Sequence, residues 1–267
     1  MPISALEKTK RGFVEKANAI ILEAKDLSVA YGKAVVLRRV NLAVPKGGIA
    51  LLLGRNGAGK TTTLLAIAGL IPKVSGKVFL EGSDISQASP LAIVQAGISN
   101  VLEGHRVFVD LTVEDNLRLG AFGLMSGKAL DERVDRVLGM FPQTSPFRGK
   151  KAGALSGGQQ QILAIAQGLV SSPRLLLLDE PSVGIAPRLV SDILALIKSL
   201  RTEGMSVLLV EQMVQKAMDV ADVVYLYDNQ SIVGHGGPQE MRASGLVERV
   251  YLGREVENSS GRDRLSH

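Results

Sequence analysis

The 267 residues are 46% hydrophobic, 21% charged and only 4% aromatic, a composition that excludes disorder and suits one large α/β unit with an inserted subdomain around an aliphatic core. No apolar stretch approaches the roughly 20 residues of a membrane-spanning helix, and the absence of cysteine excludes disulfides, thiolate nucleophiles and cysteine-based zinc sites. The net charge of +5 is spread along the chain, so no nucleic-acid partner is expected from it, and His105, His235 and His267 are too scattered for a histidine-rich metal site.

In chain order, residues 1–19 mix basic and acidic side chains without the continuous apolar segment of a secretory signal, and are expected to form a leader, loose or as a short added helix. Ile20–Leu22, Leu27–Val29 and Val35–Val44 read as short strands of an antiparallel sheet, closed by Pro45-Lys46-Gly47-Gly48. Ile49–Leu53 is a continuous apolar run of strand length, then come a glycine loop and a helical stretch from Thr61 to Leu70. That is the strand, loop, helix unit of a buried parallel sheet. After a strand at Lys77–Leu80, residues Ser89 to Val170 read as mainly helical, with Pro90 near one helix start and Thr112-Val113-Glu114-Asp115 resembling a capping box. An inserted helical lobe is expected over about 85–160. The strand pattern returns at Leu175–Leu178, Val207–Val210 and Val223–Tyr227, with a helix at Pro187–Arg201 between the first two. The folded unit is expected to span 20–254, followed by a polar tail over 255–267.

Gly54-Arg55-Asn56-Gly57-Ala58-Gly59-Lys60-Thr61 fits G-x-x-x-x-G-K-[ST] and lies between an apolar strand and a helix, where phosphate binding requires it. The glycines let successive N–H groups and the helix N-terminus point at phosphate oxygens, and Lys60 adds charge near the β and γ phosphates. Gly54, Asn56, Gly57, Gly59, Lys60, Thr61 and Thr62 are the candidate phosphate-binding residues, with the Thr61 hydroxyl a ligand for Mg²⁺. The loop alone leaves kinases, GTPases and many ATPases open. Leu175–Leu178 runs into Asp179-Glu180, a buried strand that delivers two carboxylates at its carboxyl end, where open α/β sheets bind ligands. Asp179 suits Mg²⁺, directly or through water, and Glu180 suits the polarisation of the water that attacks the γ-phosphate.

Leu155-Ser156-Gly157-Gly158-Gln159 precedes the apolar helical stretch Ile162–Val170, so a hydroxyl, backbone N–H groups and a helix N-terminus form a second anion-binding surface. A phosphate loop (Walker A), then LSGGQ, then a strand ending Asp-Glu (Walker B), in this order, resembles the ATP-binding cassette family over nearly the whole chain. The resemblance implies a P-loop NTPase, RecA-like parallel-sheet core with an antiparallel β subdomain and an inserted α-helical subdomain. It also implies ATP hydrolysis with Mg²⁺ and a dimer in which Ser156, Gly157, Gly158 and Gln159 meet the γ-phosphate held by the opposite subunit. Tyr31 matches the aromatic residue that stacks on adenine; packing at a strand end is the alternative.

Most members carry Gln entering the helical lobe and His after the strand following Walker B. Here Glu103 and Gln212 stand at those positions, and with Asn100–Phe108 and Leu111–Leu117 they resemble one ATPase subunit of bacterial branched-chain amino-acid importers. Gln212 can hydrogen-bond a phosphate yet cannot carry an imidazolium charge. Glu103 is a third candidate beside Glu180 and Gln212, offering a carboxylate toward Mg²⁺ or its water; an exposed loop glutamate without a metal role is the alternative. Leu102, His105, Val109 and Asp110 depart from that branch at the expected membrane-subunit contact. Phe108, Leu111 and Val113 suit either a groove for a partner helix or packing within the lobe. Ser182–Pro187 matches the loop that communicates between sites, with Ala186 where many relatives have Asp.

The expected function is therefore the ATPase of an importer for branched-chain or related amino acids, held peripherally at the cytoplasmic face of the membrane. Its partners would be a second cassette subunit in a homo- or heterodimer, integral-membrane permeases and, indirectly, an external solute-binding protein. A urea or short-amide importer, which tends to keep Gln at position 103, and a cytosolic cassette ATPase acting as a switch are the alternatives.

Overall fold

The computed structural model describes residues 19–104, 107–142 and 144–252. The leader before Ala19, His105 and the polar tail from 255 lie outside the described residues.

The chain opens with two 12-residue strands, β1 (Ile20–Tyr31) and β2 (Ala34–Pro45), where the sequence pattern gives shorter ones. The pattern is broken because Asp26 and Arg39 take left-handed backbone (φ 48° and 47°) at register shifts, and each bulge moves the apolar set from one face to the other. β4 (Ser75–Leu80) and β5 (Ser83–Asp84) complete an antiparallel sheet in the order β2-β1-β4-β5.

The main sheet contains β3 (Ile49–Gly54), β6 (Ile98–Val101), β7 (Leu175–Asp179), β8 (Ser206–Val210), β9 (Val223–Asp228) and β10 (Ser231–Gly236), in the order β10-β9-β3-β8-β7-β6. All pairings are parallel except β9 with β10. Strands β3, β7 and β8 are buried along their whole length because both faces are covered, which is why they read as unbroken apolar runs. Alternate residues go to different cores: Ile49, Leu51 and Leu53 face one, while Ala50 and Leu52 face the other with β1, β2 and helix α1 (Lys60–Ile67).

The stretch expected to be mainly helical from Ser89 to Val170 contains β6, which pairs with β7 and belongs to the main sheet. Its sequence Ile98-Ser99-Asn100-Val101 carries two polar residues in four, too few apolar positions to register as a buried strand. Helix α2 (Pro90–Gln95) precedes it; α3 (Val113–Leu119), α4 (Gly127–Met140) and α5 (Gly157–Val170) follow. Ser89 caps α2 with Pro90 in its first turn. Thr112 caps α3, accepting from the Asp115 amide at 3.0 Å while its hydroxyl donates to the Asp115 carboxylate. Gly120 ends α3 against α5, and a Cβ there would collide with the Gln167 carbonyl oxygen. Among the described residues the remaining α-helices are α6 (Pro187–Thr202), α7 (Val214–Met218), α8 (Pro238–Ala243) and α9 (Leu246–Leu252). Among the described residues no helix is long and apolar enough to cross a membrane.

Candidate active site

Parallel strands deliver their carboxyl ends to one edge of the sheet, and the site lies there. β3 ends at Gly54, and the loop after it returns as α1, whose N-cap Gly59 has φ 108°. Only glycine fits: the backbone is left-handed, and a Cβ would meet Leu37 Cδ2 at 2.5 Å. The loop wraps Lys60, which is only 4% exposed, and its Nζ donates to the carbonyl oxygens of Gly54 (2.8 Å) and Arg55 (3.2 Å). Burial lowers the Lys60 pKa, opposed by the nearby charges of Glu180 and Asp179. Glu180 Oε1 is 3.8 Å from Nζ.

β7 supplies the acids. Asp179 accepts a 3.1 Å hydrogen bond from the Thr61 hydroxyl, the first turn of α1 thereby meeting the end of β7. Burial pushes the Asp179 carboxyl up to about 6; the Thr61 hydrogen bond opposes this, Glu180 and Glu103 add to it, and Lys60 counters. Glu180, the next residue, has φ 47°, an uncommon conformation for a residue other than glycine. Its carboxylate accepts a hydrogen bond from the Gln212 side-chain amide.

A cavity of about 290 Å³ is lined by Val36, Asn56, Gly57, Gly59, Lys60, Thr61, Thr62, Glu103, Glu180 and Gln212. Residues far apart in the sequence thus converge, with Gly54 and Asp179 bonded to the lining through Lys60 and Thr61. Tyr31 is 51% exposed at the end of β1 and outside this lining. Ser156–Gln159 is also outside it. Ser156 caps α5 in a full capping box: its hydroxyl accepts from the Gln159 amide, and its own N–H donates to Gln159 Oε1 at 2.9 Å.

For a metal the donor set is informative. The Thr61 hydroxyl and Asp179 carboxylate are two adjacent hard oxygen donors, and Glu180 and Glu103 place further negative charge on Asp179 that a cation would relieve. No cluster of three or more metal-ligating His, Cys, Asp or Glu is present among the described residues. The Thr61 and Asp179 oxygens fit an ion such as Mg²⁺ that takes one or two protein ligands and completes its shell with phosphate and water.

Two residues that sequence reasoning missed also belong here. Glu211 is fully buried beside the site, a carboxylate directly after the apolar run Val207–Val210, which was the available signal. Tyr251, in α9, places its hydroxyl against both backbone groups of Gly54, accepting from its N–H (2.9 Å) and donating to its carbonyl (3.2 Å). Nothing local to Tyr251 in the sequence signals that contact.

Of the three residues expected either at a partner groove or inside the lobe, Val113 is buried in the core, while Phe108 and Leu111 are exposed.

The sequence model of the family described as ABC transporter matches residues 37–183, which take in the phosphate loop, Ser156–Gln159 and the Asp179-Glu180 pair. The chain belongs to the ABC transporter family. It is 40% identical to the high-affinity branched-chain amino acid transport ATP-binding protein BraG of Pseudomonas aeruginosa, over 87% of this chain and 100% of BraG. It is 34% identical to the probable branched-chain amino acid transport ATP-binding protein LivF of Archaeoglobus fulgidus, over 87% and 99%. The lipopolysaccharide export system ATP-binding protein LptB of Escherichia coli is also 34% identical, over 88% and 98%. A crystal structure of a nucleotide-free ATP-binding cassette from an ABC transporter superposes with a TM-score of 0.79 at 26% identity, over 88% of this chain and 100% of that one. The chain is thus an ABC ATPase subunit of a transporter, with the P-loop NTPase fold, and it resembles the branched-chain amino-acid transport branch.

Proposed function

We propose that this chain is the ATP-hydrolysing motor of an importer for branched-chain or related amino acids, bound peripherally to permease subunits at the cytoplasmic face of the membrane. The observation that carries the ATPase part is the convergence of Lys60, Thr61, Glu103, Glu180 and Gln212 on one cavity at the carboxyl edge of a parallel sheet. The cargo rests on the 40% identity to BraG across that protein's whole length.

In this reading the N–H groups of the loop from Asn56 to Thr61 and the Lys60 ammonium hold the β and γ phosphates of ATP. Thr61 and Asp179 hold Mg²⁺, which when bound supplies charge neutralisation on the phosphate oxygens. Glu180 orients and polarises the water that attacks the γ-phosphorus; the bond to the ADP oxygen breaks, and phosphate and ADP are the products. Gln212, hydrogen-bonded to Glu180, aims that carboxylate and can report a phosphate in the site. Tyr31 stacks on adenine from the rim. Ser156–Gln159 contacts the ATP of an opposing cassette, so each site needs two chains, and closure of the pair is the step that drives the permeases.

LptB's comparable identity favours keeping a second cargo in view, since near relatives serve chemically different substrates. Uptake of labelled leucine by source cells lacking the chain, complemented with wild type or Lys60→Ala, separates these. Loss of leucine uptake restored only by wild type supports the proposal; unaffected leucine uptake removes the cargo assignment and leaves the ATPase assignment standing.

A further inference from the structure

Glu211 follows β8 directly and is completely buried, yet its carboxylate faces neutral donors. Oε1 accepts from the Ser182 amide at 3.1 Å. Oε2 accepts from the Ser182 hydroxyl at 2.7 Å, the Gln212 amide at 3.0 Å and, more weakly, the Met213 amide at 3.5 Å. All four groups point a proton at the side chain, so the cage fits the ionised acid. Burial raises the Glu211 pKa, and these bonds oppose it.

The two ends of this cage lie on segments that leave different strands. Ser182 lies two residues after Glu180 on the segment leaving β7, and Gln212 follows Glu211 on the segment leaving β8. These strands are parallel neighbours, with Asp179 opposite Val210, and the Glu180 amide donates to the Val210 carbonyl at 3.0 Å. The Gln212 side chain then closes the loop by bonding the Glu180 carboxylate. Glu180 therefore sits in a ring of contacts: its own chain runs to Ser182, Ser182 is held by Glu211, and Glu211 fixes the backbone that carries Gln212 back to Glu180.

We infer that Glu211 is a positioning residue for hydrolysis, an anionic tether that locks the segment after Glu180 to the segment carrying Gln212 so that the two move as one unit. The tether never touches nucleotide. It rests on the reading of Glu180 and Gln212 as the hydrolytic pair, and it adds a mechanical link: displacement of the Ser182–Ala186 segment by an opposing subunit would be felt at Gln212 and so at the carboxylate that orients water. A hydroxyl and three amides make a cage that an amide side chain of the same shape cannot satisfy, because the NH₂ of Gln at position 211 faces at least one donor in either orientation.

The test uses the full chain as Glu211→Gln, Ser182→Ala and the double variant, with Glu180→Gln as reference. Nucleotide affinity and the number of nucleotide sites are measured by titration, and turnover is expressed per binding site so that unfolded protein does not enter. Glu211→Gln is expected to lower kcat about tenfold while KM and nucleotide affinity stay within about twofold, since misplacement of the water-orienting group acts on chemistry and not on phosphate binding. Ser182→Ala should lose less, and the double variant should be no worse than Glu211→Gln, because both remove one link. Unchanged kcat in Glu211→Gln, or losses that multiply in the double variant, overturns the tether. Should Glu211→Gln not fold, Ser182→Ala decides alone: a kcat loss at constant affinity supports the tether and unchanged kcat overturns it. If Glu180→Gln itself turns over normally, the hydrolytic pair is misassigned and the tether falls with it; if only Glu180→Gln is impaired, the pair stands and the tether alone is lost.

Discussion

The phosphate loop and the Ser156–Gln159 turn are both glycine-rich helix starts, yet they are built differently. At the loop, Lys60 is buried, its ammonium is met by two carbonyls and lies 3.8 Å from Glu180, which Gln212 bonds in turn, while Asp179 accepts from the neighbouring Thr61. At the turn, Ser156 and Gly157 are exposed, the Ser156 hydroxyl accepts from the Gln159 backbone amide and the Gln159 side chain accepts from the Ser156 N–H in a capping box. One surface converges with the rest of its chain; the other is finished locally and presented outward. That difference suits the proposed site completed by a second chain, with a preorganised half to grip the phosphates and a stable outward half that another molecule can meet.

The largest effect that would break this contrast is at Lys60. Lys60→Ala should weaken ATP binding by about 100-fold, read by titration with a fluorescent ATP analogue, because it removes the buried cation aimed at the phosphates. Glu180→Gln should leave affinity within about threefold and lower turnover by up to about 100-fold, read by phosphate release. Gln212→Ala, which removes a neutral hydrogen bond to Glu180 and no charge, should cost only about tenfold in the same assay.

Two smaller effects concern the helical region that carries the outward surface. Gly120→Ala forces a Cβ into the Gln167 carbonyl where α3 ends against α5, and should lower stability by about 1–3 kcal/mol in chemical denaturation. Smallest is the ion-pair network. Glu114 accepts from Arg148 at 2.7 Å and from Arg118 at 2.9 Å, and these bonds hold its carboxyl at about 2, below the ordinary 4.5. Its stabilisation is therefore present above about pH 4.5 and is lost as pH falls toward 2. Most of this network is open to solvent, so Glu114→Gln should cost less than about 1 kcal/mol at neutral pH, with the difference from wild type vanishing in acid.

The same contrast governs what could be read from sequence. β3, β7 and β8 were legible as apolar runs because both sheet faces are covered, and the phosphate loop because its spacing is set by local backbone geometry. β6 was not, since two of its four residues are polar and its identity as a strand comes from pairing with β7, far away in the sequence. The bulges at Asp26 and Arg39 hid the length of β1 and β2. At the site, Asp179 and Glu180 announced themselves at a strand end, and Glu211 stands at another, but the bonds of Glu211 to Ser182 and of Tyr251 to Gly54 join residues far apart in the sequence, which no local pattern encodes. That Ser156–Gln159 offers an anion-binding surface follows from its residues, whereas its contact with an opposing subunit came from resemblance, because its capping box is the same chemistry that any well-capped helix displays.

The most direct test of the two-half account is Ser156→Arg, with ATP affinity measured on the purified chain and turnover on the chain assembled with its transporter partners. The account predicts affinity within about threefold of wild type together with a turnover loss of about 100-fold, because the grip on phosphate lies entirely in the other half. Affinity that collapses as in Lys60→Ala, or turnover that is unchanged, would contradict it.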